Sequence, residues 1–180
     1  MKTLRLVLGD QLNKRHSWFE LPRQDVIYLM AEMRQETDYV THHIQKVVAF
    51  FLSMRTFSEA LREDGHQVLY LRISDPENPQ DLPQLIRKTI RQESIERFEY
   101  QMPDEYRLDR QLEELCNGLS IPTEAYDTEH FYTSREELAA FFKGKKQLLM
   151  ESFYRMMRKK HGVLMDGSQP VGGKLSLIHI

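Results

Sequence analysis

Short apolar runs alternate along the chain with longer segments in which apolar residues recur every three or four positions. The short runs predict five β-strands, at Leu4–Leu8, Val26–Met30, Gln67–Ile73, Arg97–Gln101 and Pro122–Tyr126. The longer segments predict helices over 38–64, 81–93 and 104–117. Strands that alternate with helices favour crossover connections, and therefore a parallel sheet covered by helices on both faces.

The segment over 38–64 has the clearest helical period. Its apolar positions predict one buried helix face: Val40, Ile44, Val47, Val48, Phe51, Met54 and Leu61. Gly65 supplies a C-terminal stop. Open parallel sheets bind ligands at the carboxyl ends of their strands, where the strand order reverses. That rule points to Gly9–Leu12, Glu32–Tyr39 and Gln101–Tyr106.

Composition narrows the class of protein. The 180 residues carry a net charge of −2, and the single cysteine, Cys116, excludes an internal disulfide and favours a cytoplasmic location. The longest strictly apolar run, Val47–Leu52, is far shorter than the roughly 20 residues that span a bilayer, so no membrane partner is expected.

Polar residues follow the first strand in a pattern that suits ligand binding. Gly9 lets the backbone turn sharply, and Asp10, Gln11 and Leu12 continue the turn at the carboxyl edge of the sheet. The alternative is a plain turn in which Asp10 caps a helix. The segment is neither a GxGxxG nor a GxxxxGK loop, so a phosphate-cradling site of either type is not predicted here.

A second group lies between the second strand and the long helix. It contains Glu32, Glu36, Asp38 and Tyr39. A carboxylate of this group would accept from the N–H edge of a heterocyclic ring, although acidic residues are also favoured near any helix N-terminus. Adjacent residues on a helix point about 100° apart, so His42 and His43 do not form a metal-binding pair, and no metal site is predicted. His43 either lines a pocket or occupies an ordinary helix face.

The last candidate for the ligand site is an aromatic residue of the long helix. Phe50 is either core or pocket wall. The sequence contains no legible Ser-His-Asp or Cys-His arrangement, and no catalytic residue is predicted.

The character of the chain changes after about Thr128. A short helix is predicted over 134–142, and 143–160 carries seven basic residues against one acidic residue, Glu151. This segment is either an amphipathic helix with a solvated basic face or a surface that contacts phosphates. Glycines mark a loop over 162–173.

Several segments, in this order and spacing, resemble one family. The chain resembles the N-terminal domain of the bacterial photolyase-related proteins, a group of iron–sulfur (6-4) photolyases and cryptochromes. The matching segments are Leu8–Leu12, Tyr39–His43, Met54–Phe57, Leu61–Gly65, Met150–Arg158, Gly162–Met165 and Gln169–Lys174.

The resemblance implies a Rossmann-like α/β fold: an open, mostly parallel, five-stranded, doubly wound sheet. It implies that this domain binds an antenna chromophore, 6,7-dimethyl-8-ribityllumazine, which passes light energy to a flavin. The family positions near that ligand correspond to Gly9, Asp10, Gln11, Glu36, Tyr39, His43 and Phe50.

The resemblance also sets the expected domain organisation. We expect an α/β antenna domain over 1–133, a basic helical linker over 134–174 and a non-native tail over 175–180. FAD, a four-iron four-sulfur cluster and the contacts to damaged DNA would belong to a missing C-terminal domain, so this piece is not expected to catalyse repair alone. The alternative is a non-catalytic α/β module that binds nucleotides or nucleic acid.

Overall fold

Five parallel strands form the central sheet. The computed structural model describes residues 1–38 and 40–173, without the side chain of Glu36. The strands are β1 (Thr3–Leu6), β2 (Val26–Ala31), β3 (Gln67–Leu71), β4 (Arg97–Gln101) and β5 (Thr123–Tyr126), in the spatial order β3-β2-β1-β4-β5. Every neighbouring pair is parallel. The predicted Rossmann-like, doubly wound class is confirmed.

Helices connect the strands across both faces of this sheet. They are α1 (Gln35–Asp38), α2 (Ile44–Glu63), α3 (Leu82–Gln92) and α4 (Tyr106–Asn117), and a 3-10 turn covers Ser17–Phe19. Side chains cap α3 and α4: Asp81 accepts from the Gln84 backbone N–H and Glu105 accepts from that of Leu108. Such caps satisfy N–H groups that have no partner inside the helix.

Alternate strand residues separate the core into two layers. Leu4, Leu6 and Phe98 face α3 and α4, whereas Val7 and Tyr28 face α2 and the 3-10 turn. This alternation follows the period of two along a strand, and it places a helical layer on each side of the sheet.

The long helix begins later than predicted. It starts at Ile44 instead of Asp38, so His42 and His43 precede it. Val40, Ile44 and Val48, which were predicted to be buried, are exposed. A helix of 20 residues extends about 30 Å, whereas a six-residue strand covers only about 20 Å. The buried residues of α2 therefore begin at Phe51, and before it Val47 and Phe50 are only partly buried against the same core.

A second compact unit begins at Tyr132. It contains α5 (Arg135–Phe142), α6 (Met150–His161) and a small hairpin of β6 (Met165–Asp166) and β7 (Gln169–Pro170). Phe153 is buried there, with its ring 5.2 Å from that of Phe141. The hairpin corrects the prediction of a plain loop over 162–173, because strands of two residues are too short to produce a hydrophobic period. The basic helix predicted over 143–160 forms only from Met150.

The tail predicted over 175–180 lies outside the described residues. Among the described helices, none combines the length and the apolar character needed to cross a bilayer.

Candidate functional site

An open cleft of about 680 Å³ lies at the carboxyl edge of the sheet, between the turn after β1 and the first half of α2. The turn contributes Gly9, Asp10, Leu12 and Asn13. The helix contributes Lys46, Ala49, Phe50 and Ser53, and His130 closes the rim from the segment after β5. Because β1 and β4 are neighbours whose connections leave on opposite faces, this is the position where a doubly wound sheet opens a crevice.

The closeness of the turn and the helix depends on Gly9. A Cβ atom at this position would lie 2.3 Å from Cζ of Phe50 and 2.9 Å from the sulfur of Met54. Only glycine lets the Phe50 ring lie against the backbone of the turn. The half-buried ring thereby forms an aromatic wall of the cleft.

Asp10 lies at the opening of the cleft, where loss of hydration and neighbouring charges change the pKa of its carboxyl group. The residue is exposed, yet the protein around it displaces enough water to raise the pKa of its carboxyl group. Repulsion from Asp104 acts in the same direction, whereas a backbone hydrogen bond and His130 oppose it. Asp104 also pairs with His130, with 3.1 Å between Oδ2 and Nε2.

Other polar groups of the cleft are held by local hydrogen bonds. Asn13 accepts from the Arg15 backbone N–H through Oδ1, which leaves its amide NH₂ to donate. Ser53 donates to the Ala49 carbonyl and keeps its lone pairs for a ligand donor. Lys46 also lines the cleft and supplies a cation. Its Nζ lies 3.1 Å from Nδ1 of His42.

The structure brings Gly9, Asp10, Leu12 and Phe50 together, as the sequence predicts, and it gives Gln11 a different environment. Gln11 is buried; its side chain accepts from the Leu8 backbone N–H at 3.0 Å and donates to the Gln101 carbonyl at 3.1 Å. These two bonds fix the turn after β1 against β4. Gln11 therefore supports the cleft from behind and does not line it.

Glu32 lies away from the cleft and is fully buried. Its carboxylate accepts from Nε and Nη2 of Arg55 at 2.6 and 3.0 Å, from the Tyr70 hydroxyl at 2.8 Å and from the Ile73 backbone N–H at 3.0 Å. Burial opposes ionisation, but these donors outweigh it and lower the pKa of Glu32.

The remaining predicted residues belong to the segment before α2. His43 is the N-cap of α2, where its Nδ1 accepts from the Gln45 backbone N–H; it does not line the cleft. The Glu36 side chain and Tyr39 lie outside the described residues, so their predicted place beside Asp10 stays a prediction.

Sequence reasoning missed Asn13, Lys46, Ser53 and His130. The helical period offered a signal for two of them, since Lys46 and Ser53 lie four residues before and three residues after Phe50, on the same side of α2. His130 follows β5 and had no signal of its own. Its partner Asp104, however, lies in the segment after β4 that the strand-order rule selects.

The cleft combines an aromatic wall with a small number of converging polar groups, which is the usual composition of a small-molecule site. Its volume falls within the range of about 300–1,000 Å³ typical of such sites. In the described part of the chain, no three His, Cys, Asp or Glu side chains are grouped closely enough to hold a metal ion. The arrangement suits the binding and orientation of an organic ring.

Comparison with known proteins gives two relatives. The chain is 35% identical over 176 residues to a (6-4) photolyase of Agrobacterium fabrum, a match that covers 97% of this chain and 34% of that protein. The chain thus spans about a third of the length of this relative. It is also 22% identical to the uncharacterized protein R852 of Acanthamoeba polyphaga mimivirus, over 98% of this chain and 91% of the viral protein.

A family model also matches the chain. The model describes the deoxyribodipyrimidine photo-lyase-related proteins and matches residues 5–177, so it covers both the sheet and the second unit. With this match and the 35% identity to a (6-4) photolyase, the chain belongs to the deoxyribodipyrimidine photo-lyase-related protein family.

Proposed function

We propose that the cleft between the β1 turn and α2 binds a flat heterocyclic antenna chromophore, 6,7-dimethyl-8-ribityllumazine. The observation that carries this proposal is the cleft itself: an aromatic wall and a carboxylate of raised pKa lie at the carboxyl edge of a doubly wound sheet. Membership of a photolyase-related family favours a light-absorbing ligand over other ring compounds.

The residues of the cleft fit the chemistry of such a ring. A lumazine presents an N–H donor, several acceptor atoms and a flat apolar surface. Asp10 would accept from the N–H group, and the Asn13 amide and the Lys46 ammonium would donate to ring or ribityl oxygens. Phe50 would contact the flat surface of the ring.

The protein performs no bond chemistry in this function. When bound, the chromophore supplies absorption of light and transfer of excitation energy. The residues of the chain hold the ring, fix its orientation and limit the access of water. Gly9 contributes by allowing Phe50 to lie against the turn, and Gln11 contributes by fixing that turn to β4.

The acceptor of the energy would be FAD in a C-terminal domain of the full-length protein. That domain would also contain a four-iron four-sulfur cluster and the contacts to damaged DNA. The basis for this proposal is the family and the (6-4) photolyase relative, whose length is about three times the matched part. Alone, the present chain would be a light-harvesting module.

A fluorescence titration of the purified chain with 6,7-dimethyl-8-ribityllumazine tests the proposal. We expect a spectral shift that saturates, and we expect Asp10→Asn to weaken binding by about tenfold, because a charge-assisted hydrogen bond contributes about 1.5–3 kcal/mol. Asp166→Asn is the matched control, since it makes the same chemical change at a residue that does not line the cleft.

Two outcomes would contradict the proposal. Absence of a saturable spectral change with the unmodified chain would exclude lumazine as the ligand of the cleft. Equal affinities for Asp10→Asn and Asp166→Asn would show that the ring binds without Asp10, and the site would then have to be placed elsewhere.

A further inference from the structure

A second cavity, of about 250 Å³, lies between α2 and the edge strand β3. Four α2 residues that line it recur at helical spacing: Arg55, Ser58, Glu59 and Arg62. At about 100° per residue, they occupy the side of the helix opposite to Lys46, Phe50 and Ser53. The two cavities are therefore separate.

Arginine is the main chemical feature of this cavity. Arg55 and Arg62 come from α2 and Arg72 follows β3, so three guanidinium groups line a space that is large enough for a phosphate group. Two carboxylates, Glu59 and Asp75, also line it. The lining carries three positive and two negative charges, and the buried Glu32, which pairs with Arg55, brings this group to zero net charge.

The buried carboxylate of Glu32 anchors Arg55 beside the cavity. Glu32 accepts from Nε and Nη2 of Arg55, and Nη1 lies at another edge of the planar guanidinium group, outside these two bonds. The Arg55 side chain is still 36% exposed. Glu32 neutralises the charge of Arg55 but leaves N–H donors for a ligand, since a guanidinium group has five.

Arg62 and Arg72 have no carboxylate partner among the described ion pairs. Arg62 donates through Nη2 to the Val68 carbonyl at 3.1 Å, which holds its side chain along β3. The Arg72 backbone N–H donates to Oδ2 of Asp75 at 2.6 Å, which holds the loop after β3. Because neither guanidinium group is paired with a carboxylate in those ion pairs, both can donate to an anion in the cavity.

We propose that this cavity binds a phosphate group. The fork of an arginine side chain matches two phosphate oxygens, and charge-assisted bonds of this kind are about twice as strong as neutral ones. Arg72, the remaining donors of Arg62 and the N–H groups of Arg55 that Glu32 leaves free place several such donors at one polar cavity. The Asp75 carboxylate already accepts from a backbone N–H, so we expect it to repel a bound anion less than the Glu59 carboxylate does.

A ³¹P NMR titration of the chain with inorganic phosphate tests this proposal. We expect saturable binding that weakens about tenfold in Arg62→Gln and in Arg72→Gln. We expect Glu59→Gln to strengthen binding, because it removes a like charge without removing a donor. Arg91→Gln, at the exposed C-terminal end of α3, is the matched control and should bind as the unmodified chain does.

The sign of the Glu59→Gln effect distinguishes a phosphate site from a structural role of the arginines. An unfolded or loosened variant would lose affinity, whereas a folded variant without the opposing charge gains it. No saturable binding by the unmodified chain, or equal weakening by Arg91→Gln and Arg62→Gln, would overturn the proposal. Binding of lumazine at the other cleft does not enter this test.

Two sources of a phosphate group can be separated with the same variants. A free phosphate monoester is represented by a nucleoside 5′-monophosphate, and a backbone diester by a short single-stranded oligonucleotide without terminal phosphate. Diester binding would show the steep salt dependence of counterion release, together with loss in Arg62→Gln. Binding of the monophosphate alone would assign a free phosphate ligand.

Discussion

Asp10 illustrates how a ligand site can weaken the fold that contains it. Its pKa is raised above 3.8, chiefly because neighbouring protein displaces part of its hydration although the residue is exposed, so the folded state binds the proton more tightly than the unfolded state does. The ionised carboxyl group therefore destabilises the folded chain, and this penalty disappears as the pH falls through the raised pKa toward 3.8. Titratable groups with shifted pKa values are common at functional sites.

We expect Asp10→Asn to stabilise the chain at neutral pH. The gain should stay below about 1 kcal/mol, because the side chain is partly solvated, and it should vanish below the ordinary carboxyl pKa. Urea unfolding at pH 7 and near pH 3.5 measures both values. A variant that is less stable than the unmodified chain at pH 7 would show that the Asp10 carboxylate stabilises the fold.

Glu32 has the opposite electrostatic character. Its pKa is lowered, because four donors outweigh the penalty of burial. Its stabilising contribution is therefore complete above the ordinary value of 4.5 and is lost as the pH falls through the lowered pKa.

We expect Glu32→Gln to destabilise the chain by about 3 kcal/mol at neutral pH, since one partner of a buried ion pair is removed and Arg55 can reach water only in part. The difference should shrink in acid, below pH 4.5. The control is Glu59→Gln, an exposed carboxylate beside the same cavity, which should change the stability by less than about 0.5 kcal/mol. Equal effects of the two substitutions in urea unfolding would contradict the role of Glu32.

At the scale of elements, the turn after β1 and helix α2 meet through Gly9 and Phe50. A methyl group at Gly9 would collide with the ring of Phe50, which is half-buried and able to swing toward the cleft. The buried Met54 is also within 2.9 Å of the added carbon and cannot move as easily. The cleft and the helix packing are therefore coupled at this contact.

We expect Gly9→Ala to destabilise the chain by about 1–3 kcal/mol, the usual effect of overpacking, and to reduce the affinity for lumazine. Phe50→Leu in the same chain should recover part of the stability, because it removes the closest atoms. A double-mutant cycle by chemical unfolding measures this coupling. Strict additivity of the two substitutions would show that Gly9 and Phe50 do not interact.

The elements that could be predicted from the sequence are those whose local signal agrees with their packing. The strand at 97–101 and the helix ending before Gly118 follow from apolar period and stop signals, and both form. The start of α2 could not be predicted, because Val40, Ile44 and Val48 continue the apolar period beyond the edge of the sheet. The pattern alone does not show where the sheet ends.

The candidate site was only partly predictable for a related reason. Gly9 and Asp10 follow a strand directly, so the position of the strand determines theirs. Glu32 also follows a strand, but its partners Arg55 and Tyr70 are 23 and 38 residues away, and only the folded chain shows that they surround it. Sequence spacing cannot distinguish a carboxylate that meets a ligand from one that meets an arginine.

At the scale of the whole molecule, the described functional features are distributed unevenly between the two units. The five strands of the central sheet, both apolar layers and all residues lining the two cavities lie before residue 132. In the described part of the second unit, only Phe153 and Arg158 are buried. A unit with so small a core is expected to be marginal by itself.

The boundary between the units lies between two exposed aromatic residues, Phe131 and Tyr132. We expect chymotrypsin to cut there first, because exposed aromatic residues in irregular segments are readily cleaved. We expect a separately expressed fragment over 1–131 to unfold cooperatively and to bind lumazine within about threefold of the affinity of the full chain, since His130 completes the cleft inside this fragment. Circular dichroism and a fluorescence titration measure the two properties. If the fragment is unfolded, the second unit is part of the folding core; if it is folded but does not bind lumazine, residues after 131 belong to the ligand site.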